Sequence, residues 1–188
     1  MLVALGVALV PAPASARKLR CAHSGHTLLA NKVARVFVIR GQHVDRYYAC
    51  RLGHGKVKRI GRSTDRAPKD GMTAVRLNGR FVGVTNAYCK ENGRCSGNVK
   101  VFSTSRRKFV RKGVVPDGEP AAIVMTDTGW VAWTTIHGRD EPHAVFKSDD
   151  EGNVELDSGN TIDAHSLTRA GATIFWTKGD IEKSATLN

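Results

Sequence analysis

The sequence predicts an all-β domain of repeated strand units, a β-propeller-like array of about four short blades with the last one incomplete. Three observations carry this. Segments rich in Val, Ile, Phe, Tyr, Trp and Thr alternate along the chain with turns of Gly, Asn, Asp and Ser. No stretch longer than about ten residues holds the 3.6-residue apolar period of an amphipathic helix. The turn glycines Gly79, Gly129 and Gly171 lie 50 and 42 residues apart, the spacing of a propeller blade. A β-sandwich or a trefoil-like barrel built from the same strands is the alternative.

Predicted strands run over Arg35–Arg40, Arg46–Leu52, Val57–Ile60, Thr73–Leu77, Phe81–Ala87, Val99–Ser103 and Lys108–Arg111. They continue over Ala122–Thr126, Trp130–Ile136, Ala144–Lys147, Asn153–Leu156, Ser166–Arg169, Thr173–Thr177 and Lys183–Leu187. They group into units over 34–61, 74–113, 122–159 and 166–187. Each full unit has a short first strand, a Gly turn, an aromatic-rich second strand, a third strand and a more polar outer strand. One such sheet cannot bury both faces, so it must stack on its neighbours. Phe81, Trp130, Trp133, Phe175 and Trp176 are the side chains expected between sheets. The fourth unit lacks an outer strand, and His26–Ala30 is the segment expected to supply it and close a ring.

Residues 1–16 read as a signal peptide. Leu2–Val10 is apolar or small throughout, Pro11 and Pro13 break any helix, and Ala14-Ser15-Ala16 offers a peptidase site before Arg17. The apolar run is shorter than the roughly 20 residues that span a bilayer. No Lys or Arg precedes it, which suggests a true start further upstream. The mature chain, 17–188, is long enough for one domain with a sizeable core.

Four cysteines in an exported chain point to disulfides. Cys89–Cys95 is the favoured short pair, because Asn92-Gly93 forms a turn between them. That leaves Cys21–Cys50, which ties an N-terminal arm to a strand. A zinc site would want C-x(2–4)-C spacing, which is absent.

The net charge is +12 and is unevenly spread. Residues 17–113 hold 24 Lys and Arg against four acids (Asp45, Asp65, Asp70, Glu91), and 114–188 hold five bases against 13 acids. Such a dipolar molecule attracts polyanions with one side. The candidate polyanion-binding residues are Lys56, Lys58 and Arg59 in the first unit and Arg106, Arg107, Lys108, Arg111 and Lys112 in the second. As a regular strand, 107–112 sets Arg107, Phe109 and Arg111 on one side and Lys108, Val110 and Lys112 on the other. The competing explanation is that basic outer strands simply block edge-to-edge aggregation.

His137-Gly-Arg-Asp140-Glu141-Pro-His143 is the densest polar cluster. It suits an acid–base pair or a divalent metal, but Gly, Asp and Pro also make it a hairpin turn, and the turn is the preferred reading. Asp149-Asp-Glu-Gly-Asn153 resembles a calcium loop only faintly, lacking the spaced ligands of an EF-hand. His23 and His26 flank the arm as weak copper or zinc candidates. No G-x-S-x-G, H-E-x-x-H, P-loop or dinucleotide fingerprint occurs, so no catalytic residue, metal or cofactor is assigned.

Ala34-Arg-Val-Phe37, Tyr47-Tyr-Ala-Cys50 and the closing Asp157-Ser-Gly159 resemble small secreted proteins of soil actinobacteria, the Solirubrobacter-like group, built from WD40-like or TolB-like propeller blades. The resemblance spans 26–188 in spacing, without the Trp-Asp dipeptide of WD40 blades. It implies a propeller-like fold and an extracytoplasmic place, and it carries no catalytic residues. The expected function is a secreted, non-enzymatic binding or scaffold module that engages a cell-envelope polyanion or a protein partner. The alternative is an extracytoplasmic polymer-acting hydrolase or lyase with carboxylates or His137 and His143 in a central pocket. No specific nucleic acid and no membrane span after signal cleavage are expected.

Overall fold

In a computed structural model, which describes residues 19–65, 70–115, 117–137 and 141–188, the chain is all-β. The predicted leader and Arg17 lie outside the described residues. Among the described residues, fifteen strands form antiparallel meanders. The first unit comprises β1 (His26–Ala30), β2 (Ala34–Ile39), β3 (Val44–Arg51) and β4 (Val57–Thr64). The second comprises β5 (Asp70–Asn78), β6 (Phe81–Cys89), β7 (Cys95–Ser103) and β8 (Lys108–Val115). A single residue pair, Ser63 with Gly71, joins β4 to β5, so the first eight strands share one sheet that splits at this point. The third unit comprises β9 (Glu119–Met125), β10 (Val131–Ile136), β11 (His143–Asp149) and β12 (Gly152–Gly159). The fourth has three strands, β13 (Thr168–Ala170), β14 (Thr173–Lys178) and β15 (Ile181–Thr186).

Among the described residues the sheets do not close into a barrel, which is against the trefoil-like alternative. His26–Ala30 does not complete the fourth unit either; it pairs with β2 and opens the first. The reason is local. Asn31 Oδ1 accepts the N–H groups of Val33 and Ala34, each at 2.8 Å, and folds a tight hairpin. A short loop closes at far lower entropic cost than a seam between distant chain segments. Among the described residues β15 keeps an unpaired outer edge, which Glu182 and Lys183 guard with charge.

Successive units pack face to face. Val36, Ala49, Ile60, Val82, Val84 and Phe102 fill the first junction. Phe81, Val99, Val101, Ile123, Met125, Val131 and Trp133 fill the second. Ala132, Val145, Leu167, Ile174 and Trp176 fill the third. Of the expected aromatics, Phe81, Trp133 and Trp176 are buried, whereas Trp130 and Phe175 are half-buried. Gly79, Gly129 and Gly171 take positive φ (52°, 89° and 60°), which is why glycine recurs at these turns.

The third unit carries an ion cluster in which Lys147 and Asp149 are buried and Glu151 is exposed. Lys147 Nζ lies 2.9 Å from Asp149 and 2.5 Å from Glu151, and the Asn188 N–H donates to Asp149 at 3.0 Å. Burial alone would raise the Asp149 pKa, but the Asn188 N–H, the Lys147 ammonium and the Glu151 N–H together hold it below its ordinary value. The Glu151 carboxylate, against the cost of burial, and then Asp149 raise that of Lys147. A lowered carboxyl pKa stabilises the fold above the unfolded value of 3.8, and that contribution is lost as pH falls through the folded value. A raised lysine pKa stabilises the fold below 10.5 and stops doing so as pH climbs through the folded value. The thermal midpoint should therefore fall steeply below about pH 4. An Asp149→Asn variant should start lower at neutral pH and decline less; an equal acid slope in both would refute the assignment.

Candidate basic face

The first unit's outer face is built by register. Phe37 pairs with Tyr48 and Ile39 with Arg46, while Tyr48 pairs with Arg59 and Cys50 with Val57. Cross-strand partners share a face, so these side chains lie together, and the Phe37 and Tyr48 rings stack at 5.3 Å. An arm from Leu19 crosses this face. Disulfides join Cys21 to Cys50 and Cys89 to Cys95, the pairing favoured from the sequence. The Arg35 guanidinium fixes the arm further, donating to Cys21 O, to Gly25 O at 3.1 Å and to Thr27 Oγ1 at 2.8 Å.

Beside the arm lies a hollow of about 990 Å³. Its polar wall is Arg20, His23, His54, Lys56 and Arg107, and its apolar part includes Tyr48, Leu52 and Val57. Arg107 enters from the β7–β8 turn of the next unit. Among the described residues no carboxylate lines this hollow. Across the arm a second hollow of about 950 Å³ shares Leu19, Arg20 and His23 and adds His26 and Arg40, again without a described carboxylate. A third, smaller one of about 210 Å³ lies where β4 parts from β5, with Arg59, Arg62, Asn86, Tyr88 and Lys100 on its walls.

The predicted basic residues thus separate. Lys56 and Arg107 converge on the large hollow, and Arg59 lines the small one. Lys58 pairs with Ala49, a residue of the first junction, and so faces the second unit. Arg106 and Lys108 are exposed at the β7–β8 turn. The regular alternation expected for 107–112 fails. A bulge lets Phe109 pair with Phe102 and Arg111 with Val101, leaving Val110 over and putting Phe109 and Arg111 on opposite faces. Phe109 instead shares a face with Lys100 and Lys112, and Lys100 Nζ stands 5.8 Å from the centre of its ring. Arg111 turns to the third unit, where it donates to Asp149 O and pairs with Asp150 at 2.6 Å. It acts as an inter-sheet tie.

Sequence reasoning missed Arg20, His54, Tyr48 and Lys100, and gave His23 a different role. The signal for Arg20 and His23 was present: a Cys21–Cys50 bond places the arm beside the strand that carries Tyr48.

The other candidates fare as follows. In the Asp149–Asn153 turn, Asp149 and Glu151 face Lys147, and Asp150 faces Arg111. His137 hydrogen-bonds Thr135 at 2.8 Å and lies 3.7 Å from Glu141, in a hollow of about 520 Å³ with Arg94 and Asp117. His143 sits on β11 opposite Gly159 and does not line that hollow. Asp140 lies outside the described residues. Among the described residues no group of three His, Cys, Asp or Glu side chains is placed to hold a metal, and no helix is long and apolar enough to cross a membrane.

The structure therefore defines an all-β domain with two disulfides, the mark of an oxidising, extracellular-type environment, and a basic face at one end. No family model and no curated protein matches the chain. Among solved structures, a Pyrococcus horikoshii acylaminoacyl peptidase is similar with a TM-score of 0.41 and 9% identity, over 85% of this chain and 37% of that one. This chain thus spans well under half of that protein's length, and at this level the likeness carries no argument about fold or activity.

Proposed function

We propose that this is a secreted binding module, an open array of propeller-like blades that holds an anionic polymer of the cell envelope on the first blade's outer face. The observation that carries the reading is the hollow where Arg20, His54, Lys56 and Arg107 converge from the arm and from two successive units, with no carboxylate among the described residues of its lining. The units of four, four, four and three strands, each packed on the next, support the blade reading. The covering of Phe37 and Tyr48 by a disulfide-bound arm supports an open end, because terminal repeats need a capped outer face. The export signal and the disulfides support secretion.

Retention on heparin and on teichoic-acid resin tests it. Each cation that meets the polymer releases counterions, so affinity falls as salt rises. A Lys56→Ala/Arg107→Ala variant should elute earlier, with the slope of log affinity against log salt reduced by about 2. Elution of the parent protein at very low salt, unchanged in the variant, would refute the reading.

A further inference from the structure

We infer that the split between β4 and β5 is a subsite for one tetrahedral oxyanion, a sulfate or phosphate ester carried by the polymer. The inference rests on the polyanion reading and refines it. The hollow there, about 210 Å³, has room for one such group. Arg59 and Arg62 of β4 and Lys100, Asn86 and Tyr88 of the second unit line it.

Among the described residues β4 is paired with β3 along its length, but towards β5 only Ser63 meets a strand partner. The stretch from Arg59 to Gly61 thus has no described strand partner on its β5 side. The bulge at Ile60 bends this edge away from the ladder. Asn86, 5% exposed, is held by its bond to Asn98 Oδ1 at 3.0 Å, so its amide is a fixed wall rather than a swinging side chain. Lys100 rests over Phe109, and among the described residues no carboxylate pairs with it. Arg62 is held at the rim by Asp70 at 3.2 Å, and among the described residues Lys100 and Arg59 of the lining have no ion-pair partner. A compact ammonium, a guanidinium and a fixed amide lining one small space are donors that oxyanion recognition uses.

Isothermal titration with inorganic sulfate and, separately, inorganic phosphate, at constant ionic strength in chloride, tests this. The parent protein should bind one anion saturably, and whichever anion binds more tightly identifies the ester. Lys100→Met and Lys100→Gln should each lose affinity by about tenfold or more, and Lys100→Arg should keep most of it. Lys56→Ala/Arg107→Ala should leave anion binding unchanged while it weakens heparin retention. Absence of saturable binding in the parent, or unchanged affinity in folded Lys100→Met and Lys100→Gln, would overturn the subsite. Anion binding lost with Lys100 in a protein that fails to hold heparin would overturn the polymer reading and support the anion site alone.

Discussion

Replacing Trp133 by alanine should cost about 3–5 kcal/mol of stability, the range for deleting a large buried aromatic. Trp133 is the largest fully buried side chain and is 1% exposed. It stacks on Phe146 at 5.5 Å and reaches from the third unit into the second. The second unit receives it at a glycine: a Cβ on Gly113 would stand 2.3 Å from the indole. Gly83 and Gly97 play the same part beside Ile123 and Pro120. Glycine inside a strand marks such a close approach. Gly113→Ala alone should therefore destabilise by overpacking, by about 1–3 kcal/mol. Trp133→Phe removes the part of the ring nearest Gly113. The double variant Gly113→Ala/Trp133→Phe should then be less destabilised than the sum of the two, since neighbours that share space couple. Urea unfolding of the four proteins measures this. Strict additivity would show that the glycine and the indole do not share the seam.

This seam also shows what the sequence made legible. The first two predicted units, 34–61 and 74–113, end on Gly61 and Gly113. In the structure both glycines serve one purpose, Gly61 admitting Met72 as Gly113 admits Trp133. Composition and turn chemistry are local, so the strands, the turn glycines and the disulfide partners could be read from residues alone. The bulges at Ile60 and Val110 could not, because a bulge answers to the sheet packed against it. They decide which way Arg59, Phe109 and Arg111 point. Basic residues were thus recognisable as a class, while the division into a large hollow, a small one and an inter-sheet tie depended on register. The placement of His26–Ala30 failed for a related reason: the vacant edge of a distant unit is a weaker attractor than a three-residue hairpin beside it.

Removing the Cys21–Cys50 bond, as Cys21→Ala/Cys50→Ala, should lower stability by about 3–4 kcal/mol for its 29-residue separation. Removing Cys89–Cys95, separated by 6, should cost about 2 kcal/mol. The difference in function should be larger than the difference in stability. Cys21 anchors the arm over Phe37, and the arm contributes Arg20 and His23 to both large hollows. Freed, it would hold those cations in place only through the Arg35 bonds. Heparin retention should then drop towards that of Lys56→Ala/Arg107→Ala. The Cys89–Cys95 bond closes the exposed tip of the β6–β7 hairpin, away from the arm, and its loss should leave retention unchanged. Measuring both variants at a temperature where each remains folded separates the two effects. Full retention in folded Cys21→Ala/Cys50→Ala would mean that the arm covers the first unit without forming part of its binding face.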